Sequence, residues 1–308
     1  MKIYSKDYLI KNLEKEGLKF SCFSLIHEGV YAAADADWNY KDVPHLKYVH
    51  NLVNAYMSAV SDDFVATINA QKTFGMKLPL CVFNYQSGPN AQTYYTTWLF
   101  FVLIVETRYE ELAPCKTRVT TSYHIGSPKL LRWCLPIIRW AIKRNYKDLM
   151  STDIPMRERR GQLRLWGYAF KKEKPNYSFE ETMNIAGTNV VAPLTVFTPV
   201  KIVLEQVLPH NGNEFLVGRA DAFGFRLIRK DNLVMVFPRM CLHEGASLDN
   251  QPCKKDAIIK CPWHARPYKP LVTYLLNEAA AFAIHEQKVG DFLFHCKENV
   301  LTITREIT

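Results

Sequence analysis

Four residues in the last third of the chain have the types and spacing of a metal site. Cys241 and His243 stand as C-x-H and Cys261 and His264 as C-x-x-H, with 17 residues between the pairs. Two thiolates and two imidazoles can bind zinc tetrahedrally. They can equally hold a [2Fe-2S] cluster, with the cysteines on one iron and the histidines on the other. A C-x-H at a hairpin tip presents both side chains in one direction, and the second loop mirrors the first. A second candidate group lies in "DVPHLKYVH", which holds Asp42, His45 and His50. In a straight helix five residues turn through about 500°, leaving the two imidazoles roughly 140° apart. One metal would therefore need a bent helix or a helix end, and Pro44 suits a helix beginning there. Taken alone, the pair reads more readily as two ordinary histidines on a helical stretch.

The flanks of the four-residue group narrow the choice. "HEGASL" (243–248) and "CPWHARPY" (261–268) resemble the H-x-G-x-x-L and C-P-Y/W-H-G-W/R-x-F/Y motifs of the Rieske [2Fe-2S] family, and the resemblance covers most of 196–308. It implies that Cys241, His243, Cys261 and His264 bind a [2Fe-2S] cluster. Ala265 departs from the pattern, standing where the family has glycine. Respiratory Rieske proteins carry an extra disulfide beside the ligand loops. Here Ala246 and Trp263 occupy those places and Cys253 has no counterpart, so the chain resembles the oxygenase or ferredoxin type, with a cluster of lower potential.

Within that resemblance "DVPHLKYVH" takes on a role. It is similar to the D-x-x-H-x(4)-H segment of Rieske non-heme iron oxygenases, and "DWNY" is similar to the lead-in, with Trp38 where a carboxylate is common. The resemblance implies a mononuclear Fe(II) held by His45, His50 and a downstream carboxylate, a facial triad with positions open for O2. Asp153, followed by Glu158, resembles the D-x-x-x-x-E segment that supplies the third ligand. Asp148 is the rival, and the bland alternative for Asp153 is the cap of a short helix beginning at Ile154-Pro155. Asp42 is implied to bridge His45 to His243 or His264 and carry the electron, commonly across a subunit boundary of a homo-oligomer. A ferredoxin or an NAD(P)H-dependent reductase would feed the cluster. Hydroxylation, demethylation or desaturation of a small organic substrate would follow. The order of domains is the reverse of the familiar oxygenases.

The elements that must position these residues fall into two groups. Residues 63–125 read as strands broken by turns, an antiparallel sheet. From Ser127 the spacing becomes helical, with a kink or break expected at Pro136. A sheet followed by one long helix suggests an α+β arrangement with the helix wrapped in a curved sheet, which resembles a helix-grip domain of the START/Bet v 1 type, over 1–195. After a connector at "KKEKPNYSFEETMN", short strands dominate in a small all-β Rieske domain over 196–308. The aromatic segments "FNY" and "YYTTWLFF" suggest an apolar or aromatic substrate. The competing reading is a non-catalytic ligand-binding domain fused to a Rieske electron carrier or redox sensor.

Composition sets bounds. The chain has 308 residues and is 48% hydrophobic, enough for real cores. Its longest apolar run, "WLFFVLIV" (98–105), is far short of the roughly 18 residues of a spanning helix and reads as a buried strand. A soluble, cytoplasmic protein with reduced cysteines is expected, with Cys22, Cys81, Cys115 and Cys134 as small core residues. The net charge of +9 is concentrated in 129–164, with ten Lys/Arg against three Asp/Glu and no nucleic-acid motif. That segment is a solvated face, or a dock for an acidic electron donor or an anionic membrane surface.

Overall fold

The computed structural model describes residues 4–50, 55–73, 76–171, 188–276 and 285–306. The chain is α+β and divides into two compact units, Met1–Trp166 with Phe170–Gly187, and Gly167–Ala169 with Thr188–Thr308. The expected connector lies, from residue 172 on, outside the described residues.

The first unit is a helix grip. Helix α1 (Lys6–Lys15) precedes strand β1 (Leu18–Gly29), followed by α2 (Ala33–Lys41) and the five-residue α3 (His45–Val49). Strands β2 (Ala55–Ser61), β3 (Phe64–Thr73), β4 (Met76–Gly88), β5 (Ala91–Trp98), β6 (Phe101–Ala113) and β7 (Lys116–Pro128) then run as an antiparallel meander. The sheet order is β1-β7-β6-β5-β4-β3-β2, so the first strand closes against the last. A 3-10 turn over Lys129–Cys134 leads into the 31-residue α4 (Leu135–Leu165), about 46 Å long. Ile138 of α4 packs with Phe101 and Ile125 of the sheet. Gly161 marks where α4 meets the chain after β1, since a Cβ there would lie 2.2 Å from the Val30 carbonyl oxygen.

Several expectations are corrected. The run 98–105 is not one strand. Leu99 adopts a φ of 54° and turns the chain between β5 and β6, leaving Leu99 and Phe100 exposed. Pro136 neither kinks nor breaks α4, because it stands in the first turn, where its missing N–H has no partner to lose. Pro155 instead lies inside α4, with Ser151 and Pro155 both exposed, so the carbonyl it frees is on the solvent side. Asp153 is thus mid-helix rather than a cap. Cys22 and Cys81 are exposed and Cys115 and Cys134 only half-buried, since each falls on the outward or marginal position of its element.

The second unit is a two-sheet sandwich. One sheet orders Val200–Val203, Val300–Arg305, Phe292–Lys297 and His285–Val289; the other orders Glu214–Val217, Phe225–Lys230, Leu233–Pro238 and Val272–Leu275. Leu227, Val234, Val236, Phe294, Leu301 and Ile303 are buried in the shared core. The short ribbon Ile259–Lys260/Pro267–Tyr268 carries the second Cys/His loop. "KIVLEQVL" is a strand only through Val203 and then turns helical over Leu204–Val207. Among the described residues no helix is long and apolar enough to cross a membrane.

Candidate metal centres

The two Cys/His loops are built alike. The Cys241 N–H donates to the Ala246 carbonyl (2.9 Å) and the Gly245 N–H to the Cys241 carbonyl (2.8 Å). In the second loop the Cys261 N–H donates to the Arg266 carbonyl (2.8 Å) and the Ala265 N–H to the Cys261 carbonyl (2.9 Å). Each turn aims its cysteine and histidine the same way, and all four side chains are buried, with the imidazole centroids of His243 and His264 5.0 Å apart. A hydrogen bond from Cys261 holds the Cys241 thiol down to about 6, while Cys261 is pushed up by the same bond and by burial. The two thiols thus lie close enough to share a hydrogen bond, as two cysteines that hold one iron must. Burial and the adjoining Cys241 push the Tyr268 phenol up as well. The donor set, two thiols and two imidazoles, fits a [2Fe-2S] cluster.

The scaffold under the first loop is ionic. Arg239 makes a bidentate pair with Asp249 (2.8 and 2.7 Å), and Arg226 donates to the carbonyls of Leu248 (3.0 Å) and Gln251 (2.7 Å) while paired with Glu214. Asn189 donates to both oxygens of Glu244, and its N–H to the carbonyls of Leu242 and His243. None of these partners is signalled by local sequence.

Gly245 and Ala265 occupy matching positions and have φ of +90° and +54°. This explains the family's glycine: the turn requires a left-handed residue, which costs an L side chain about 1–2 kcal/mol. Ala265→Gly is accordingly expected to stabilise the second unit by about 1 kcal/mol. Urea unfolding of the loaded protein would show it, and a midpoint that stays put or falls would refute it.

In the first unit the structure brings His45, His50 and Asp153 together. Their ligand atoms all lie within 4.8 Å of one another. His45 Nε2 and His50 Nε2 are 3.3 Å apart, and Asp153 Oδ1 is 3.4 and 3.0 Å from them. The angular difficulty disappears because His45 is the first residue of α3 and His50 follows its last, with extended φ and ψ of −96° and 113°. Asp148 is exposed, as is Glu158, so Asp153 is the carboxylate that meets the histidines.

Hydrogen bonds on the far side of each ring fix the tautomers. His45 Nδ1 bonds the Asp42 carbonyl, which can only accept, so Nδ1 carries the proton. The Thr152 hydroxyl donates to the Leu149 carbonyl (2.9 Å), leaving Oγ1 to accept from His50 Nδ1–H at 3.0 Å. Both Nε2 atoms thus present lone pairs to each other and to Asp153 Oδ1, itself buried and without a hydrogen bond. Three acceptors facing one point repel unless a cation lies between them. Metal–ligand bonds of about 2.1 Å predict ligand separations of about 3.0 Å at right angles and about 3.4 Å at tetrahedral angles. The observed 3.0–3.4 Å spans that range.

A buried network backs the carboxylate. Arg157, one turn on, places Nη2 3.7 Å from Asp153 Oδ2 and donates from Nε to Asn39 (2.8 Å) and from Nη1 to His27 (3.1 Å). His27 Nδ1 bonds Tyr146 at 2.6 Å. Burial, then the Arg157 charge, lowers His27 to about 4, keeping it neutral. The Arg157 guanidinium favours the ionised form of the Asp153 carboxyl beside it. Asp42 is buried, and its carboxylate Oδ2 is 3.7 Å from His45 Nδ1. His45 Nδ1–H donates to the Asp42 backbone carbonyl, and the carboxylate lies beside the same nitrogen. The aromatic segments do not converge on one place: Phe83 and Phe100 are exposed, Tyr85 stacks on Tyr95, and Tyr94 meets Tyr40.

Comparison with known proteins accords with the second unit. Residues 200–278, which include Cys241, His243, Cys261 and His264, match the family model described as "Rieske [2Fe-2S] domain". No curated protein matches the chain. Among solved structures, the Zhui aromatase/cyclase from Streptomyces sp. R1128 is 11% identical, covering 46% of this chain and 96% of that one at a TM-score of 0.41. A START superfamily protein from Mycobacterium smegmatis is 10% identical, covering 44% and 97% at 0.39. The di-domain aromatase/cyclase BexL of the BE-7585A pathway is 10% identical at 0.41, and this chain covers 45% of itself and spans half of that protein's length. These likenesses are too distant to carry any argument about function. Residues 200–278 are a Rieske [2Fe-2S] domain, which implies a [2Fe-2S] cluster and a redox partner such as a ferredoxin or reductase.

Proposed function

We propose that the chain is the terminal component of a Rieske-type non-heme iron oxygenase, using O2 and electrons from a ferredoxin or an NAD(P)H-dependent reductase to hydroxylate, demethylate or desaturate a small organic molecule. The observation that carries this reading is the convergence of His45, His50 and Asp153 on one buried point. It occurs in a chain that also holds a Rieske domain. Two imidazoles and one carboxylate can occupy one face of an iron and leave the opposite positions open. When bound, the cluster would supply single electrons and the iron would activate O2.

The chain's own residues have distinct tasks in this reading. His45, His50 and Asp153 hold the iron. The Asp42 carbonyl and the Thr152 hydroxyl keep the protons on the outer ring nitrogens, so that both Nε2 atoms remain donors to metal. Arg157 offsets the charge of the outer carboxylate oxygen. The Asp42 carboxylate, beside His45, is the group through which an electron would reach that imidazole.

Iron stoichiometry of anaerobically purified protein tests the reading. Three irons per chain are expected, falling to two in His45→Ala and in Asp153→Ala with the cluster spectrum intact. Two irons in the unaltered protein would sink the oxygenase and leave an electron carrier fused to a ligand-binding domain.

A further inference from the structure

The apolar end of the first unit faces outward without cover. Leu99 and Phe100, at the β5–β6 turn, and Leu130, Trp133, Ile137 and Trp140, at the start of α4, are large side chains each between 54% and 86% exposed. The two elements share one end, because Trp98 and Phe101 beside the turn pack in the same cluster as Leu131, Cys134 and Leu135. Beneath the exposed residues the packing is sound, so this is a built surface rather than a loose one.

Cations predominate along the helix that leaves it. From Pro128 to Lys147 the chain carries Lys129, Arg132, Arg139, Lys143, Arg144 and Lys147 and no acidic residue. At 100° per residue, Pro136, Ile137, Trp140, Lys143, Arg144 and Lys147 fall within about 120° of one helix face, and each is exposed. Along that face the apolar residues come first and the cations follow about 10 Å further on. Arg144 lies over the Trp140 ring, 5.6 Å from its centroid, joining the two zones.

From this arrangement we propose that the β5–β6 turn and the start of α4 form a docking surface for an anionic lipid bilayer. Apolar side chains at the extremities of a turn and a helix reach the acyl boundary, about 5–10 Å deep, while lysines and arginines on the same face stay at headgroup level. Tryptophan suits the boundary itself, having an apolar ring and one N–H to hydrate. The helix face beyond the apolar end carries Lys143, Arg144 and Lys147, which an anionic surface complements. The proposal is independent of what the metal centres do.

The full-length, metal-loaded protein is mixed with vesicles of phosphatidylcholine alone or with 30% phosphatidylserine, and binding is read by sedimentation and tryptophan fluorescence. Binding at least tenfold stronger to the anionic vesicles at 0.1 M salt is expected, with a blue shift of the emission. The pair Phe100→Ser/Trp133→Ser should lower binding at least tenfold, and Lys143→Gln/Arg144→Gln should remove most of the preference for phosphatidylserine. All these residues are exposed, so folding and iron content should not change. No binding to anionic vesicles, or binding indifferent to both pairs, overturns the proposal. So does a lipid-free dimer that Phe100→Ser/Trp133→Ser dissociates, which would make a second copy the occupant.

Discussion

Cys241→Ser and Cys261→Ser are each expected to abolish the cluster and its visible absorbance while leaving one iron per chain in place. A serine hydroxyl stays protonated at neutral pH, so the exchange removes the negative donor that an iron–sulfur cluster requires. Each loop has its own turn, closed by backbone bonds of 2.8–2.9 Å, and both should still fold. What they lose is the free energy of metal binding, which is also folding free energy for the segments that hold the metal. Proteolysis should therefore quicken within residues 241–266. The third iron should remain, because His45, His50 and Asp153 all belong to the other unit, which has its own core. Iron analysis with electron paramagnetic resonance of the reduced protein would check this. Loss of all three irons would mean that the two sites are not independent.

Asp35→Ala should produce the largest loss of stability in the first unit. Asp35 is fully buried and takes Arg160 Nε at 3.0 Å and Arg164 through two nitrogens at 2.9 Å. Arg160 is itself fully buried, wedged between Trp38 (4.2 Å) and Phe170 (3.6 Å). Removing the carboxylate takes from that guanidinium its ionic partner on α2 in a low dielectric, and breaking such a pair costs about 3–5 kcal/mol. Arg164 is partly exposed and can turn to water. The double substitution Asp35→Met/Arg160→Met should recover most of the loss, since the cost lies in the unpaired charge rather than in the pair. Urea unfolding followed separately for each unit would measure both effects. A loss below about 1 kcal/mol would mean that Arg160 reaches solvent. Because Asp35 ties α2 to α4, the single variant should also weaken metal retention at His45 and His50.

The ligand spacings were legible because short-range chemistry wrote them. A C-x-H and a C-x-x-H can aim at one cluster only from tight turns, and these turns are there. The pair His45/His50 was legible as a candidate, but the helix end that reconciles its angle depends on where α3 stops. Helix α4 was half legible. A proline is read as a breaker from its type, yet its effect depends on position, harmless at Pro136 in the first turn and tolerated at Pro155 on the solvent face. The β5–β6 turn was hidden within an apolar run, since Leu99 takes the left-handed conformation without glycine or asparagine to signal it. Strand β1 was not legible, since its pairing with β7 spans nearly the whole unit. The partners that hold the candidate site, Thr152, Arg157, Asn39 and His27, were illegible for the same reason: their contacts join residues about a hundred or more positions apart.

Helix α4 carries exposed Trp140 near one end and the buried carboxylate of Asp153 further along, and nothing but helix joins them. Its length is therefore a matter of phase. Inserting one residue between them would rotate everything downstream by 100°, turning either the carboxylate away from His45 and His50 or the tryptophan inward. Seven residues would restore both directions to within about 20°. Among relatives of this chain, length variation in that stretch should come in steps of two helical turns, while the hairpin tips of the same sheet other than β5–β6 vary freely.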